Sequence, residues 1–499
     1  MARILIIGGG VSGLSAGIYG QISGHETVIF EQNHIAGGNL TGWSRGGYHI
    51  DNCIHWLTGT NPNTDTYKMW ETLGALGGVE IVQAQSLFTY DRDGRRLSLW
   101  RDLDRCEREM LELSERDGKE IKSFFSAVRI LQGMSGIALD THEGKNTAAQ
   151  KIKSLPLLYK YYSLSTGELA RRFYHPLIRE FITSFLGDDF GALALLFIYA
   201  HFCGENGGIP RGGSLGMATR MSERHKQLGG NLLTGKKVKK ICTDGKRASS
   251  VILSDGSEYA ADYVIVTTDP AVVFKELLDI PMPRKFARLY SDDSLMRFSA
   301  FHCAFSCDMP TVPFKSDIIF EIPCKFQMRL GAKNLVVREF SHEPSFSPEG
   351  KNILQSVIFC NEINSLEFIE LKKNKAEYEN VKLEIADIIE KIIVGKFPQM
   401  QGKLECIDVW TPATYKRYID SEIGSFMSFA LPKKRLPLRL NNRIDGVENV
   451  ILATQWQQIP GGLPIAAGGG RIAIETVNAM ERKHARHQPQ TYKKIFSEA

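Results

Sequence analysis

Three glycines, an acid and the distance between them carry the first chemistry legible in this chain. Gly8-Gly9-Gly10-Val11-Ser12-Gly13 closes an apolar run that begins at Arg3, and Val28-Ile29-Phe30-Glu31 ends a second run on a carboxylate. That pattern suits a dinucleotide: Gly8 permits a tight turn, Gly10 lets the backbone approach a pyrophosphate, and Gly13 lets the next helix pack close to the sheet. Free N–H groups at the helix start, at Val11 and Ser12, then meet phosphate charge. Glu31 can accept hydrogen bonds from ribose hydroxyls.

Further candidates are scattered. The segment HIDNCIHW holds His49, Asp51, His55 and Trp56. His55 or Trp56 can form the wall of a substrate cavity, or the two histidines are satisfied structural side chains. TYKRY offers Tyr415, Arg417 and Tyr418 as a hydroxyl or cation for a polar substrate end, or forms a solvated surface loop. Cys303 and Cys307 alternate within a strand-like run and read as neighbouring core thiols. No metal-ligating set is expected.

The elements that must position these groups follow from periodicity. A strand, the glycine turn, a helix and a second strand occupy the opening residues. From about Thr64 to Leu113 the text is charged with helical spacing, residues 141–153 read as a loop, and Leu155 to Phe202 is apolar, aromatic and helical. Met217 to Leu228 reads as a helix. Short strands and hairpins follow, with turns at Asp244-Gly245 and Asp255-Gly256. One long charged helix is expected over about Ser365 to Lys391, and Leu354 to Phe359 is a strand. Val450 to Thr454 is a closing strand, Gln455 to Gly470 a glycine-rich loop, and Arg471 to Arg482 an amphipathic helix. Nucleotide-type α/β text thus occurs in three pieces, with other material between them.

Length and charge bound the answer. The chain has 499 residues, enough for two domains and a large buried ligand, and its net charge of +5 is too mild to imply nucleic acid. Its nine cysteines form no CxxC pair and fit a reducing compartment. The longest apolar run, Ala192 to Phe202, is about half of what a membrane span needs. A cytoplasmic protein is the expectation. Basic residues interleave with aromatics from Lys151 to Arg179, including Lys153, Leu157, Leu158 and Tyr159. That stretch suits either peripheral membrane contact or a helical cap over a cavity.

The glycine turn with Glu31, Gly37-Gly38, the segment from Gly229-Gly230 to Val238, Val264 to Asp269, and the closing Pro460-Gly461-Gly462-Leu463-Pro464 together resemble the phytoene desaturase and carotenoid isomerase branch of the FAD-dependent amine oxidase superfamily. The resemblance implies an α/β fold. A Rossmann-type FAD-binding domain of the glutathione-reductase kind (1–75, 207–290 and 440–499) would carry a discontinuous α+β substrate domain (76–206 and 291–439) with a helical cap. It implies FAD held by Gly8, Gly10, Val11, Ser12, Gly13, Glu31, Gln32, Gly37, Gly38, Asn39, Val238 and Thr268. Gly462, Leu463 and Pro464 would lie near the flavin ring, with a helix starting near Ile465 directing its N-terminal amides at the ring. Two departures stand out. Asn39 replaces the family's usual arginine after the double glycine, and Asn52 replaces a frequent glycine after Asp51.

A flavin supplies the hydride chemistry, so the protein need only bind it, orient the substrate and tune the ring. His55, Trp56, Gln455 and Trp456 are the candidates for the catalytic face. The expected activity is hydride transfer between flavin N5 and C–C or C=C bonds of an apolar lipidic or polyene substrate, as desaturase, saturase or redox-neutral isomerase. The alternatives are a flavin amine oxidase, whose aromatic cage would come from Trp456 and the TYKRY tyrosines, and a non-catalytic flavin carrier or chaperone.

Overall fold

The structure is a computed structural model that describes residues 1–132, 155–156, 159–278 and 280–487. The expected loop at 141–153 and Lys151, Lys153, Leu157 and Leu158 of the basic stretch lie outside the described residues.

Two sheets organise the molecule. The first has six strands in the order Asn231–Leu233, β2 (Glu26–Phe30), β1 (Arg3–Ile7), Tyr263–Val266, Val447–Leu452 and Arg443–Ile444. All neighbours are parallel except the last pair. β1 is central and its Ile4 to Ile7 are buried, as expected for a parallel strand covered on both faces. On one face α1 (Val11–Ile22) packs against the closing helix Leu463–His487, and Gly470 makes that contact possible. A Cβ on Gly470 would stand 2.4 Å from the Ser12 carbonyl oxygen and 2.6 Å from the Ala16 nitrogen. The other face carries an antiparallel sheet of Val238–Asp244, Arg247–Leu253 and Glu258–Ala260.

The second sheet has seven strands: Leu404–Trp410, Ser299–Cys307, Asn352–Cys360, Asn334–Glu339, Asp317–Glu321, Ser86–Arg92 and Arg95–Trp100. Its sides divide by the strand period of two. Phe301, Cys303, Phe305 and Cys307 enter one core with the helix Lys375–Lys396. Ala300 and Ala304 face the helices of residues 118–203 across a second core. Cys303 and Cys307 are therefore buried free thiols, as read from the sequence. Among the described residues no helix is long and apolar enough to cross a membrane.

The mixed α/β fold with its parallel sheet is as expected, but several elements are not. Residues 86–100 form a hairpin where a helical stretch was expected. Asp93 and Gly94 take left-handed φ angles of 52° and 84°, and Asp91 accepts the Gly94 N–H. The expected long charged helix is two, Glu362–Leu371 and Lys375–Lys396, because Asn374 caps the second and interrupts the first. Asn231–Leu233 joins the parallel sheet beside β2 instead of pairing in a hairpin. The closing helix begins at Leu463, eight residues before the periodicity signalled it and near the start the resemblance implied. Of its glycines 468–470, only Gly470 is required by close packing on α1.

Candidate functional site

The glycine turn forms from the physics of its residues. Gly8 has φ +100°, and a Cβ there would meet Thr267 Oγ1 at 2.4 Å. A Cβ on Gly13 would lie 1.9 Å from the Gly8 carbonyl oxygen, so α1 reaches the sheet only through glycine. Gly10 differs. A Cβ there would find no protein atom closer than 3.8 Å, and the residue opens α1 as its N-cap with no side-chain cap. Nothing in the protein requires glycine at position 10, whereas a ligand pressed against the backbone does.

Three further features fit the FAD that the sequence resemblance implies. The first turn of α1 holds no acid, so its N–H groups and dipole are left for an anion. Glu31 is buried and accepts from Gly9 N (2.7 Å), Asn33 N and Asn33 Nδ2 (both 2.8 Å). A carboxylate offers about four acceptor positions, which leaves one for a hydroxyl. Burial outweighs these hydrogen bonds and raises the Glu31 pKa above the usual value. Thr268 Oγ1 is buried with no partner, and the residue lines the same cavity. The donor and acceptor set matches pyrophosphate and ribose.

Gly37 (φ +129°) and Gly38 (φ +60°) close the other side, with Gly37 N–H donating to the Gly9 carbonyl at 2.8 Å. Gln32 lines the cavity and donates to the Tyr418 carbonyl, and Val238 opens its strand at the cavity edge. The two departures from the family pattern answer each other. Asn52 Nδ2 donates to both Asn39 oxygens, at 3.1 Å and 2.9 Å. Its own Oδ1 accepts from Tyr415 at 3.0 Å.

Apart from Gly9, Gly13 and Asn33, which are not in its lining, these residues line one cavity of about 770 Å³. It continues past Gly462, Leu463 and Pro464, at the start of the closing helix, into a chamber walled by Phe185, Phe190, Phe197, Ile198, Val357 and Phe359. Gln455 spends both ends of its amide on backbone: Oε1 accepts from Gly462 N and Nε2 donates to Phe426 O. Trp456 is buried, stacked 5.8 Å from Tyr290 and edge-on to Phe429.

Asp51 sets the HIDNCIHW segment. Its carboxylate accepts from Ser214 N and Ser214 Oγ, both at 2.6 Å, while Ser214 Oγ accepts from Ile54 N at 2.8 Å. Residues 52–56 are thereby fixed at the cavity wall. His55 Nδ1 lies 3.0 Å from Asp317 Oδ2, and Asp317 in turn meets buried Arg338 at 3.4 Å. His49, by contrast, packs tilted against Phe346 with ring centroids 4.4 Å apart, and burial lowers its pKa; its Nε2 is buried without a partner among the described residues, so it is not the satisfied structural histidine expected.

The surface-loop reading of TYKRY is wrong for its first tyrosine. Thr411 caps a helix, Pro412–Ile419, that carries Tyr415 inward to 4% exposure. Trp410 Nε1 donates to the Tyr415 oxygen at 3.2 Å, and His302 Nε2 lies 3.0 Å away. With Tyr415 donating to Asn52, the consistent tautomer is His302 with its proton on Nε2. Burial pushes the His302 pKa down to about 3, so the ring stays neutral. His302 and Asp317 were missed in the sequence. His302 sits mid-strand among Ala300, Phe301, Cys303 and Ala304, which is the signal that marked it, whereas Asp317 opens its strand after Lys315 and Ser316 and carried no such signal.

Residues 11–356 match the family of flavin-containing amine oxidoreductases. Among curated proteins, the 4,4'-diaponeurosporene oxygenase of Staphylococcus aureus (strain MW2) is 22% identical, over 97% of this chain and 99% of the relative. The chloroplastic prolycopene isomerase 1 of an Oncidium hybrid cultivar is 25% identical, over 88% and 77%. Among solved structures, an oxidoreductase from Methanosarcina mazei superposes with a TM-score of 0.63 at 16% identity, covering 95% of this chain and 100% of its own. Cyclohexylamine oxidase from Brevibacterium oxydans IH-35A gives 0.59 at 15% identity, covering 96% and 99%. A family match over most of the chain, with the same fold and a cradle fitted to FAD, makes this chain an FAD-dependent oxidoreductase that belongs to the flavin-containing amine oxidoreductase family.

Proposed function

We propose that the protein oxidises, reduces or isomerises C–C and C=C bonds of an apolar polyene. The observation that carries this reading is the continuity of one cavity from the glycine turn and Glu31 to the aromatic and aliphatic chamber beyond the closing helix. An elongated hydrocarbon gains about 25 cal/mol per Å² of surface removed from water, and such a chamber offers that gain without a polar anchor. The carotenoid chemistry named for the Staphylococcus aureus and Oncidium relatives supports the same substrate class.

FAD, when bound, supplies hydride exchange at N5. The residues that would hold it are Gly8, Gly10, Val11, Ser12, Gly13, Glu31, Gln32, Gly37, Gly38, Asn39, Val238 and Thr268. Gly462, Leu463 and Pro464 bring the N-terminal end of the closing helix to the cavity, where its dipole favours negative charge. Gln455 holds that loop closed against the Phe426 carbonyl. Phe185 and Phe197 exclude water and align the chain of the substrate. Trp456 commits its faces to Tyr290 and Phe429 rather than to an aromatic cage, which weighs against an amine substrate.

The test is anaerobic mixing of FAD-loaded protein with acyclic C30 and C40 polyenes and, separately, with alkyl amines. A polyene should bleach the flavin band or emerge as a new geometric isomer on chromatography. Amine-dependent bleaching, with hydrogen peroxide on admitting air and no change in any polyene, overturns the proposal.

A further inference from the structure

A second cavity of about 990 Å³ lies behind the first, and His55 and Trp56 are the residues common to both linings. The two spaces differ in chemistry. Both are mainly apolar, but the second carries the larger polar share: Ser86, Thr89, Ser98, Ser316, Glu339 and Ser341 stand there beside Leu87, Leu97, Phe202, Val312 and Phe314. His55 therefore stands in a wall between a hydrocarbon chamber and a more polar one. Its side chain is 30% exposed.

The orientation of the ring is fixed from one side. Nδ1 is 3.0 Å from Asp317 Oδ2, so Nδ1–H donates to the carboxylate. Asp317 is itself held: its Oδ1 lies 3.4 Å from Arg338 Nε, and Arg338 donates to the Ile54 carbonyl at 2.5 Å. Asp317 and Arg338 are 8% and 3% exposed. Among the described residues Nε2 has no hydrogen-bond partner. A carboxylate on one imidazole nitrogen and a free lone pair on the other is the arrangement of an oriented general base. A merely structural histidine of this exposure has no need of a buried ion pair behind it.

We propose that His55 is the acid–base catalyst of the reaction, with Asp317 and Arg338 as its positioning residues and the more polar chamber as its route to water. The inference rests on the dehydrogenation or saturation reading given above. In dehydrogenation, one substrate carbon loses hydrogen as hydride to the oxidised flavin, and its neighbour loses a proton to Nε2. The electron pair of that second C–H bond becomes the new π bond. The substrate is oxidised by two electrons, the flavin is reduced by two, and the proton leaves Nε2 for water in the more polar chamber. Saturation runs the same transfers backward.

Two measurements test this independently. A long-chain alkyl bromomethyl ketone should alkylate Nε2, forming a C–N bond with loss of bromide, and peptide mass mapping should place the adduct on His55. Labelling should vanish from that peptide in His55→Gln and slow several-fold in Asp317→Asn. An adduct on Cys53 instead, or an unchanged rate in Asp317→Asn, overturns the proposal. With an acyclic polyene in D2O, wild-type protein should wash deuterium into recovered substrate. His55→Gln, checked for unchanged FAD retention and melting temperature, should lose the exchange and about 100-fold or more in kcat, with KM little changed. Exchange at the wild-type rate in His55→Gln overturns it. If His55 is labelled as expected but no polyene turns over, the substrate reading fails and the base assignment stands.

Discussion

Replacing Gly10 with alanine separates what the fold needs from what the cofactor needs. Its φ of −71° is one that any residue adopts, and the added Cβ would meet no protein atom within 3.8 Å. The cost to the apoprotein is then confined to alanine being a poorer N-cap than glycine, about 1 kcal/mol or less. That shifts Tm by no more than about 4 °C in a chain of this size. The space the methyl fills is where a pyrophosphate must approach the first amides of α1. Loss of one hydrogen bond to a charged group costs about 1.5–3 kcal/mol, so the Kd for FAD should rise by about tenfold to hundredfold. Gly13→Ala is the opposite case. Its Cβ would lie 1.9 Å from the Gly8 carbonyl oxygen, backbone that cannot step aside, so the apoprotein itself should lose about 1–3 kcal/mol or more. Thermal melts of the apoproteins and fluorescence titrations with FAD read both quantities. An unchanged Kd in Gly10→Ala, or an unchanged apoprotein Tm in Gly13→Ala, refutes the reasoning.

Thr268→Val removes a buried hydroxyl that has no partner in the protein. It should leave the apoprotein as stable as wild type or more so, yet weaken FAD by about 0.5–1.5 kcal/mol, and isothermal titration with melts measures the pair. Arg338→Met strands Asp317 in the interior and should cost about 3–5 kcal/mol in a denaturant melt. A loss below about 1 kcal/mol contradicts the buried pairing. Burial pushes His201 and His225 down to about 4 and His302 to about 3, from an ordinary 6.5. Their folded pKa values are depressed, so the unfolded state binds more protons below pH 6.5. The stability they contribute is complete above that pH and is lost as pH falls toward 4. Each adds a slope of about 1.4 kcal/mol per pH unit, about 4 for the three. A melt series from pH 7 to 4.5 should show this decline, with the slope reduced by about a third in His225→Gln.

The parts legible in the sequence were those whose physics is local. A turn needing positive φ at Gly8, a close contact at Gly13 and an acid ending β2 all declare themselves within 31 residues. Hairpin 86–100 was equally local, with Asp93-Gly94 between alternating runs, and charge density hid it. The start of the closing helix was not local. Glycines 468–470 argue against a helix by propensity, and only the face of α1 opposite Gly470 supplies the reason for that residue.

The groups around the substrate chamber were the least legible, and for a common reason. His55 is oriented by Asp317, 262 residues later, and Tyr415 by Asn52 and His302, at separations of 363 and 113. Asp317 and His302 sit on the second sheet, Tyr415 on the helix that follows its strand Leu404–Trp410, and His55 and Asn52 on a segment tied to the first sheet. Spacing in the chain carries no information about such pairs, because the register of two sheets creates them. Their polarity is the part the sequence does show. His302 sits mid-strand between Phe301 and Cys303, Asp317 opens a strand whose next three residues are apolar, and a buried polar residue must find a partner or cost several kcal/mol. Asp317 finds His55 and Arg338, while His302 finds Tyr415 and keeps one nitrogen bare. A buried carboxylate in a core sheet is therefore itself a pointer to the site, since at Asp317 the surrounding structure offers no packing reason for it and two side chains, His55 and Arg338, that meet it.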